Sequence, residues 1–181
     1  MPNHVTNKLI FDASHVEAIK EGACTDGQFD FEKLIPSPPH MYRGNISAED
    51  EQDFPINWNS WSRANWGTKW NAYNCNIEVM EDGKASLQFD TAWSVPYPVI
   101  SAFANRFQIP FEHRYYDEGH NFWGVETWGK GTLPGELILR TSKRKKLAAD
   151  RNALCIELKS YSPDEDDDED DATGTDNRTA P

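Results

Sequence analysis

Four residues in one short stretch, His113, Asp117, Glu118 and His120, are the densest group of side chains in this chain that could hold a metal ion. A strand would present His113 and Asp117 on one face, and the turn after it would carry His120. The spacing matches no zinc signature such as HExxH, so the group reads as the polar end of a hairpin, with no metal and no cofactor expected. Asp90, Glu112, Asp117 and Glu118 could instead pair for acid–base chemistry. An enzyme with carboxylates near Asp90 and Glu112 would need those side chains to converge in a pocket with shifted pKa values. No GxSxG, Walker A or GxGxxG pattern occurs, and Gly129-Lys130-Gly131-Thr132 lacks the spacing of a phosphate loop. Cys24, Cys75 and Cys155 are widely spaced and odd in number. They read as small buried thiols of a reducing cytosol, not as a disulfide framework or a nucleophile.

Tryptophan is the more informative residue type. All seven, Trp58, Trp61, Trp66, Trp70, Trp93, Trp123 and Trp128, lie between Asn57 and Trp128. They could form a stacking surface for bases or sugars, but such residues more often pack a helix onto a sheet. A middle reading places Trp66, Trp70 and Trp93, flanked by Asn65, Lys69, Asn71 and Asp90, on the rim of a groove that takes a ligand or partner.

Charge divides the chain. The formal net charge is −12, and the unbroken acidic run Asp164–Asp171 leaves only −4 for everything else. That balance argues against broad phosphate-backbone binding. Arg140, Lys143, Arg144, Lys145, Lys146 and Arg151 form a basic segment. It reads first as a solvated helix face, second as a patch masked by the acidic tail, and otherwise as a contact for nucleic acid through Lys143, Arg144, Lys145 and Lys146. No apolar run of membrane-spanning length and no signal peptide occurs, so a cytoplasmic protein without membrane association is expected.

The elements that must position these residues follow from periodicity. Asn3–Phe11 reads as a strand, and Val16–Glu21, closed by Gly22, as a short helix. Phe29–Ile35 reads as extended and stops at Pro36. The long connection Pro36–Asp53 follows, with a short helix near Ser47–Gln52. Asn57–Trp66 has helical spacing. Cys75–Met80 and Ala85–Thr91 alternate around Asp82-Gly83 as a hairpin. Pro96–Phe107 is a helix, and Ile109–Tyr116 with Asn121–Trp128 a second hairpin. Lys143–Arg151 reads as helical and Leu154–Leu158 as a last strand. From Ser162 onward the composition cannot build a core and reads as disordered.

Several of these stretches occur together in one known family. Met1-Pro2-Asn3-His4-Val5-Thr6-Asn7, Phe31-Glu32-Lys33-Leu34-Ile35-Pro36, Asn65-Trp66-Gly67-Thr68-Lys69-Trp70-Asn71-Ala72, Phe89–Pro96 and Tyr115–Gly119 resemble the Api92-like/YubB family, encoded mostly by phages and plasmids. The resemblance covers roughly Met1–Lys130. It implies an α+β, ferredoxin-like antiparallel sheet with helices on one face, and it implies no activity. The expected organisation is an N-terminal strand–helix unit with its Pro-rich loop over 1–56, a ferredoxin-like core with the basic segment over 57–160, and a disordered acidic tail over 161–181. The expected role is non-enzymatic binding to a host or mobile-element protein, with inhibition of a host defence as one form. A nucleic-acid-associated module using residues 140–151 and an enzyme are the alternatives.

Overall fold

A computed structural model describes residues 3–47, 53–129, 137–140 and 148–163 of the chain. The expected short helix at Ser47–Gln52, the glycine-rich turn after Gly129, the basic residues Lys143–Lys146 and the acidic tail from Asp164 lie wholly or mainly outside the described residues. Leu137–Arg140 is described by its backbone.

β1 (His4–Asp12) is followed by α1 (Val16–Ala23) and a small ribbon of β2 (Cys24–Thr25) and β3 (Gln28–Phe29). Then come α2 (Trp58–Asn65), the hairpin β4 (Tyr73–Val79) and β5 (Lys84–Ala92), and α3 (Tyr97–Phe107). β6 (Phe111–Asp117), β7 (Trp123–Trp128), β8 (Leu137–Arg140) and α4 (Ala148–Lys159) complete the described chain. The large sheet is antiparallel with order β4-β5-β1-β6-β7-β8.

β1 lies at the centre of this sheet, antiparallel to β5 from His4↔Ala92 to Asp12↔Lys84 and to β6 from Val5↔Asp117 to Ile10↔Glu112. The split β-α-β-β-α-β unit of a ferredoxin-like fold is therefore β1-α1-β4-β5-α3-β6. A boundary between residues 56 and 57 would cut through this unit, so the N-terminal strand and helix are part of the core and not an appendage.

Alternation along β1 sets the two faces. Leu9 and Phe11 point to the same side as Leu87, Phe89 and Phe111, where Val16 and Ile19 of α1 and Val99, Ile100 and Phe103 of α3 close the main core. Phe29 and Phe31 enter it from the ribbon and the turn beyond, with the Phe29 ring 4.8 Å from Phe89. Tyr116 and Trp123 point to the other side and meet Leu154, Cys155 and Leu158. Helices thus cover both faces, not one, and Leu154–Leu158 is part of α4 and not a strand. The buried positions 154, 155 and 158 have helical spacing, which a five-residue apolar run conceals.

Seven tryptophans share the aromatic stretch but not one environment. Trp66, Trp123 and Trp128 are buried, whereas Trp93 is 43% exposed. Trp66 donates its indole N–H to the Ile35 carbonyl at 2.9 Å and meets Phe31 and Trp61 edge-on. We expect Trp66→Ala to destabilise the protein by about 3–5 kcal/mol, as large-to-small changes of a buried aromatic do. Denaturant unfolding measures it, and a loss below about 1 kcal/mol would contradict the assignment of Trp66 to the core.

Candidate functional site

The two stretches Asn65–Asn71 and Asp90–Ser94 meet at one exposed edge. α2 begins at Asn57, whose side chain accepts the Ser60 N–H, and stops at Trp66. Gly67 then adopts φ +77 in a place where an added Cβ would stand 2.9 Å from the Pro98 ring, so glycine is required both for the turn and for the close approach. The following loop is tied to the end of β5. Thr68 Oγ1 donates to the Ala92 carbonyl at 2.8 Å, Ser94 donates to the Gly67 carbonyl, and Ser62 donates to the Lys69 carbonyl.

Trp93 sits where this loop joins the strand end. Its φ is +67, a conformation in which a bulky L side chain is a rare outlier costing roughly 1–3 kcal/mol. Three hydrogen bonds over-determine the turn: Trp93 N–H to the Asn3 carbonyl, Thr91 Oγ1 to the Ser94 carbonyl, and Ser94 to Gly67. The ring they hold outward carries cations. Lys69 Nζ lies 4.8 Å from the Trp93 centroid and 4.8 Å from that of Trp70, and Arg63 Cζ lies 5.3 Å from Trp93. Among the described residues neither Arg63 nor Lys69 forms an ion pair with a carboxylate. Both continue into a cleft of about 550 Å³ whose walls include Arg43, Trp58 and Asn59. Arg43 is the partnered cation there, 3.9 Å from Glu32.

Of the residues expected to rim a groove, Lys69 lines this cleft, and Trp70 and Trp93 meet it through the Lys69 ammonium. Trp66 is core. Asn71 is spent on structure: it accepts the Phe31 and Ala72 N–H groups and donates to Asp30. Asn65 donates to the Trp61 carbonyl. Asp90 points to the α4 side of the sheet, where it accepts Thr6 Oγ1 at 2.6 Å and Asn74 Nδ2 at 2.9 Å. Arg63, Arg43 and the cleft-lining role of Trp58 are additions. Arg63 follows from the helix itself, since it is i+4 from Asn59 and both line the cleft.

The carboxylates do not converge. Thr6 is opposite Asp90 and Ile10 is opposite Glu112, so the two acids are two strands and four residues apart, on the order of 16 Å. Glu112 is engaged by Arg114 at 2.6 Å, and Arg114 also holds Glu157. His113 and Asp117 share a face as alternation requires, but four residues along a strand separate them by about 13 Å. His120 hydrogen-bonds Tyr116. Among the described residues no group of three or more His, Cys, Asp or Glu could hold a metal ion. Burial pushes the Cys75 thiol up to about 11 and raises that of Cys24, the opposite of nucleophile activation.

His113 belongs to an internal polar network instead. It is fully buried, as is Asn7, and Glu126 is 4% exposed. The Asn7 amide donates to the Val5 carbonyl and to Thr91 Oγ1, so its oxygen must face His113 Nε2, 3.1 Å away. His113 therefore carries its proton on Nε2. Its Nδ1 faces Glu126 Oε2 at 3.7 Å, beyond hydrogen-bond reach. Burial holds the imidazole neutral, well below the usual histidine range. The Tyr97 hydroxyl donates to Glu126 Oε1 at 2.7 Å, which favours the carboxylate against the cost of burial.

The family comparison names the same fold. Residues 69–151 match the family model described as the ferredoxin-like domain in Api92-like protein. An uncharacterized protein, YubB of Escherichia coli (strain K12), is 36% identical over 62 residues, which cover 34% of this chain and 43% of that protein. The crystal structure of a protein api92 from Yersinia pseudotuberculosis aligns with 67% of this chain and 41% of its own, at a TM-score of 0.44 and 13% identity. The aligned parts make up less than half the length of each of these relatives. No described helix is long and apolar enough to cross a membrane. Over residues 69–151 the chain is thus similar to the ferredoxin-like domain of Api92-like proteins, and over part of its length to YubB.

Proposed function

We propose that the protein is a non-enzymatic binding protein of a phage or plasmid, acting in the host cytoplasm, which receives an acidic segment of a protein partner on the ledge formed by Arg63, Lys69, Trp70 and Trp93. One observation carries this reading. Two cations without a carboxylate partner among the described residues are held against an exposed tryptophan whose backbone is strained. Strain of this kind persists where surrounding structure enforces it, and it clusters at binding sites. Cation–π contact restricts the two heads, which lowers the entropy lost when they meet a carboxylate. Nucleic acid fits less well. The Trp93 ring already carries cations, three basic side chains neutralise few phosphates, and the formal charge of −12 opposes approach. An inhibitor of host defence is one form this binding could take.

The test is titration of the full-length protein with a Glu-rich peptide at low salt, followed by tryptophan fluorescence. Arg63→Ala with Lys69→Ala is expected to weaken binding at least about tenfold and to leave thermal unfolding within a few degrees of wild type, since both are surface changes. Binding that is indifferent to the double substitution, or a single-stranded oligonucleotide that outcompetes the peptide at this ledge, would refute the reading. Trp93→Ala should lower affinity similarly at a stability cost under about 1 kcal/mol; unfolding by that single change would place Trp93 in the core.

A further inference from the structure

We infer that the ledge has an occupant within the chain itself: the acidic run Asp164–Asp171, which competes in cis with any acidic partner. This rests on the proposed reading of the ledge as a site for carboxylates. Three observations lead to it.

The first is where the last helix ends. α4 finishes at Lys159, whose Nζ donates to the His4 carbonyl at 2.9 Å. His4 is paired with Ala92, and the next residue on each strand is joined by the bond from Trp93 N–H to the Asn3 carbonyl at 2.9 Å. The last turn of α4 and the backbone of Trp93 therefore share one end of the sheet, although α4 packs on the face opposite the main core that Trp61 and Trp66 join. The second is length. Pro163 is the last described residue and Asp171 lies eight residues beyond it, so extended chain at about 3.3 Å per residue carries the acidic run up to about 26 Å from that point. The third is charge. The tail supplies eight successive acids, and the ledge supplies two cations with no carboxylate partner among the described residues, with Arg43 beside them in the cleft.

A tethered segment has an effective concentration on the order of 1 mM. It is thus an effective competitor even where its own contacts are weak. The tail would act as a selectivity filter: a partner displaces it by making more contacts than charge alone, for example by entering the cleft beside Trp58.

The test uses a full-length variant in which the eight acids are replaced by Asn and Gln. Indole N–H resonances of Trp70 and Trp93, assigned through their Ala variants, should shift between this variant and wild type at low salt, while those of Trp123 and Trp128 stay fixed. The shift should vanish at about 1 M salt, where the Debye length is near 3 Å. The variant should also bind the Glu-rich peptide about tenfold more tightly than wild type, the size expected of a competitor at about 1 mM effective concentration against a site with Kd near 0.1 mM. Unshifted indoles together with equal peptide affinity overturn the inference and leave the binding reading intact. Peptide binding to neither protein overturns the binding reading, and the indole shifts then decide the tail on their own. If neutralising Glu49, Asp50 and Glu51 reproduces the shifts and neutralising the tail does not, the occupant is that segment and the inference fails.

Discussion

A fragment of residues 57–163 is expected not to fold, although it contains the whole of the matched domain over 69–151. It lacks β1, and β1 is the strand that joins the two hairpins into one sheet. Without it, β5 and β6 each expose a full edge of unpaired N–H and C=O groups, a template for aggregation. The loss of packing is as severe. Val5 and Leu9 are fully buried and Phe11 nearly so, and at roughly 1.5–3 kcal/mol each these three alone approach the total stability of an ordinary domain, about 5–15 kcal/mol. Val16 and Ile19 of α1 go with them. Far-ultraviolet circular dichroism and denaturant titration of 57–163 against 3–163 make the comparison. The longer chain should unfold cooperatively, and the shorter should show no transition unless a peptide of residues 3–23 is added. Cooperative unfolding of 57–163 alone would show that the β4–β7 part is self-sufficient and that β1 is an addition to it.

This expectation also marks where sequence reasoning stops. Local pattern identifies nearly every element, because alternation, the Asp82-Gly83 turn and the proline-started α3 are written in consecutive residues. Strand order is not. Nothing within His4–Asp12 states that it will lie between β5 and β6, more than 70 and 90 residues away in the chain. The long proline-rich connection after residue 36 looks like a boundary because it interrupts pattern, and it interrupts pattern whether or not the sheet continues across it. α4 fails for a related reason. Leu154, Cys155, Ile156 and Leu158 satisfy both a short buried strand and one face of a helix, and the sheet face awaiting cover decides between them.

The ledge was partly legible for the same reason. Trp70, Trp93 and Lys69 could be chosen as aromatics beside polar residues, but Trp66 has the same neighbours in sequence and is core. What separates Trp93 from Trp66 is φ, and no glycine or asparagine announces a left-handed residue at position 93. Asn65, Asn71 and Asp90 looked like ligand contacts because polar side chains near tryptophan suit both a binding rim and a set of loop ties. Here their hydrogen bonds go to backbone groups and neighbouring side chains.

Removing His113 is expected to destabilise the protein and to change how stability responds to acid. His113→Ala opens space at the centre of the sheet and leaves the Asn7 oxygen without its donor, a combined cost of about 2–5 kcal/mol. The pH response follows from the proton count. Folded His113 is neutral because burial lowers its pKa below the ordinary 6.5, whereas the unfolded side chain is protonated below 6.5. In that window the unfolded state holds more protons, so stability falls as pH drops below about 6.5, with a slope of at most about 1.4 kcal/mol per pH unit for one proton. Denaturant midpoints measured from pH 7.5 to 5.5 should therefore decline for the wild type. They should decline less for His113→Gln, whose amide can still donate to Asn7 but does not titrate. If wild-type stability instead rises as pH falls through this range, His113 is an imidazolium paired with Glu126, and the Nδ1–Oε2 separation of 3.7 Å must close in solution. The two signs are opposite, so one titration decides whether the core of this sheet holds a charge pair or a lone carboxylate tied by Tyr97.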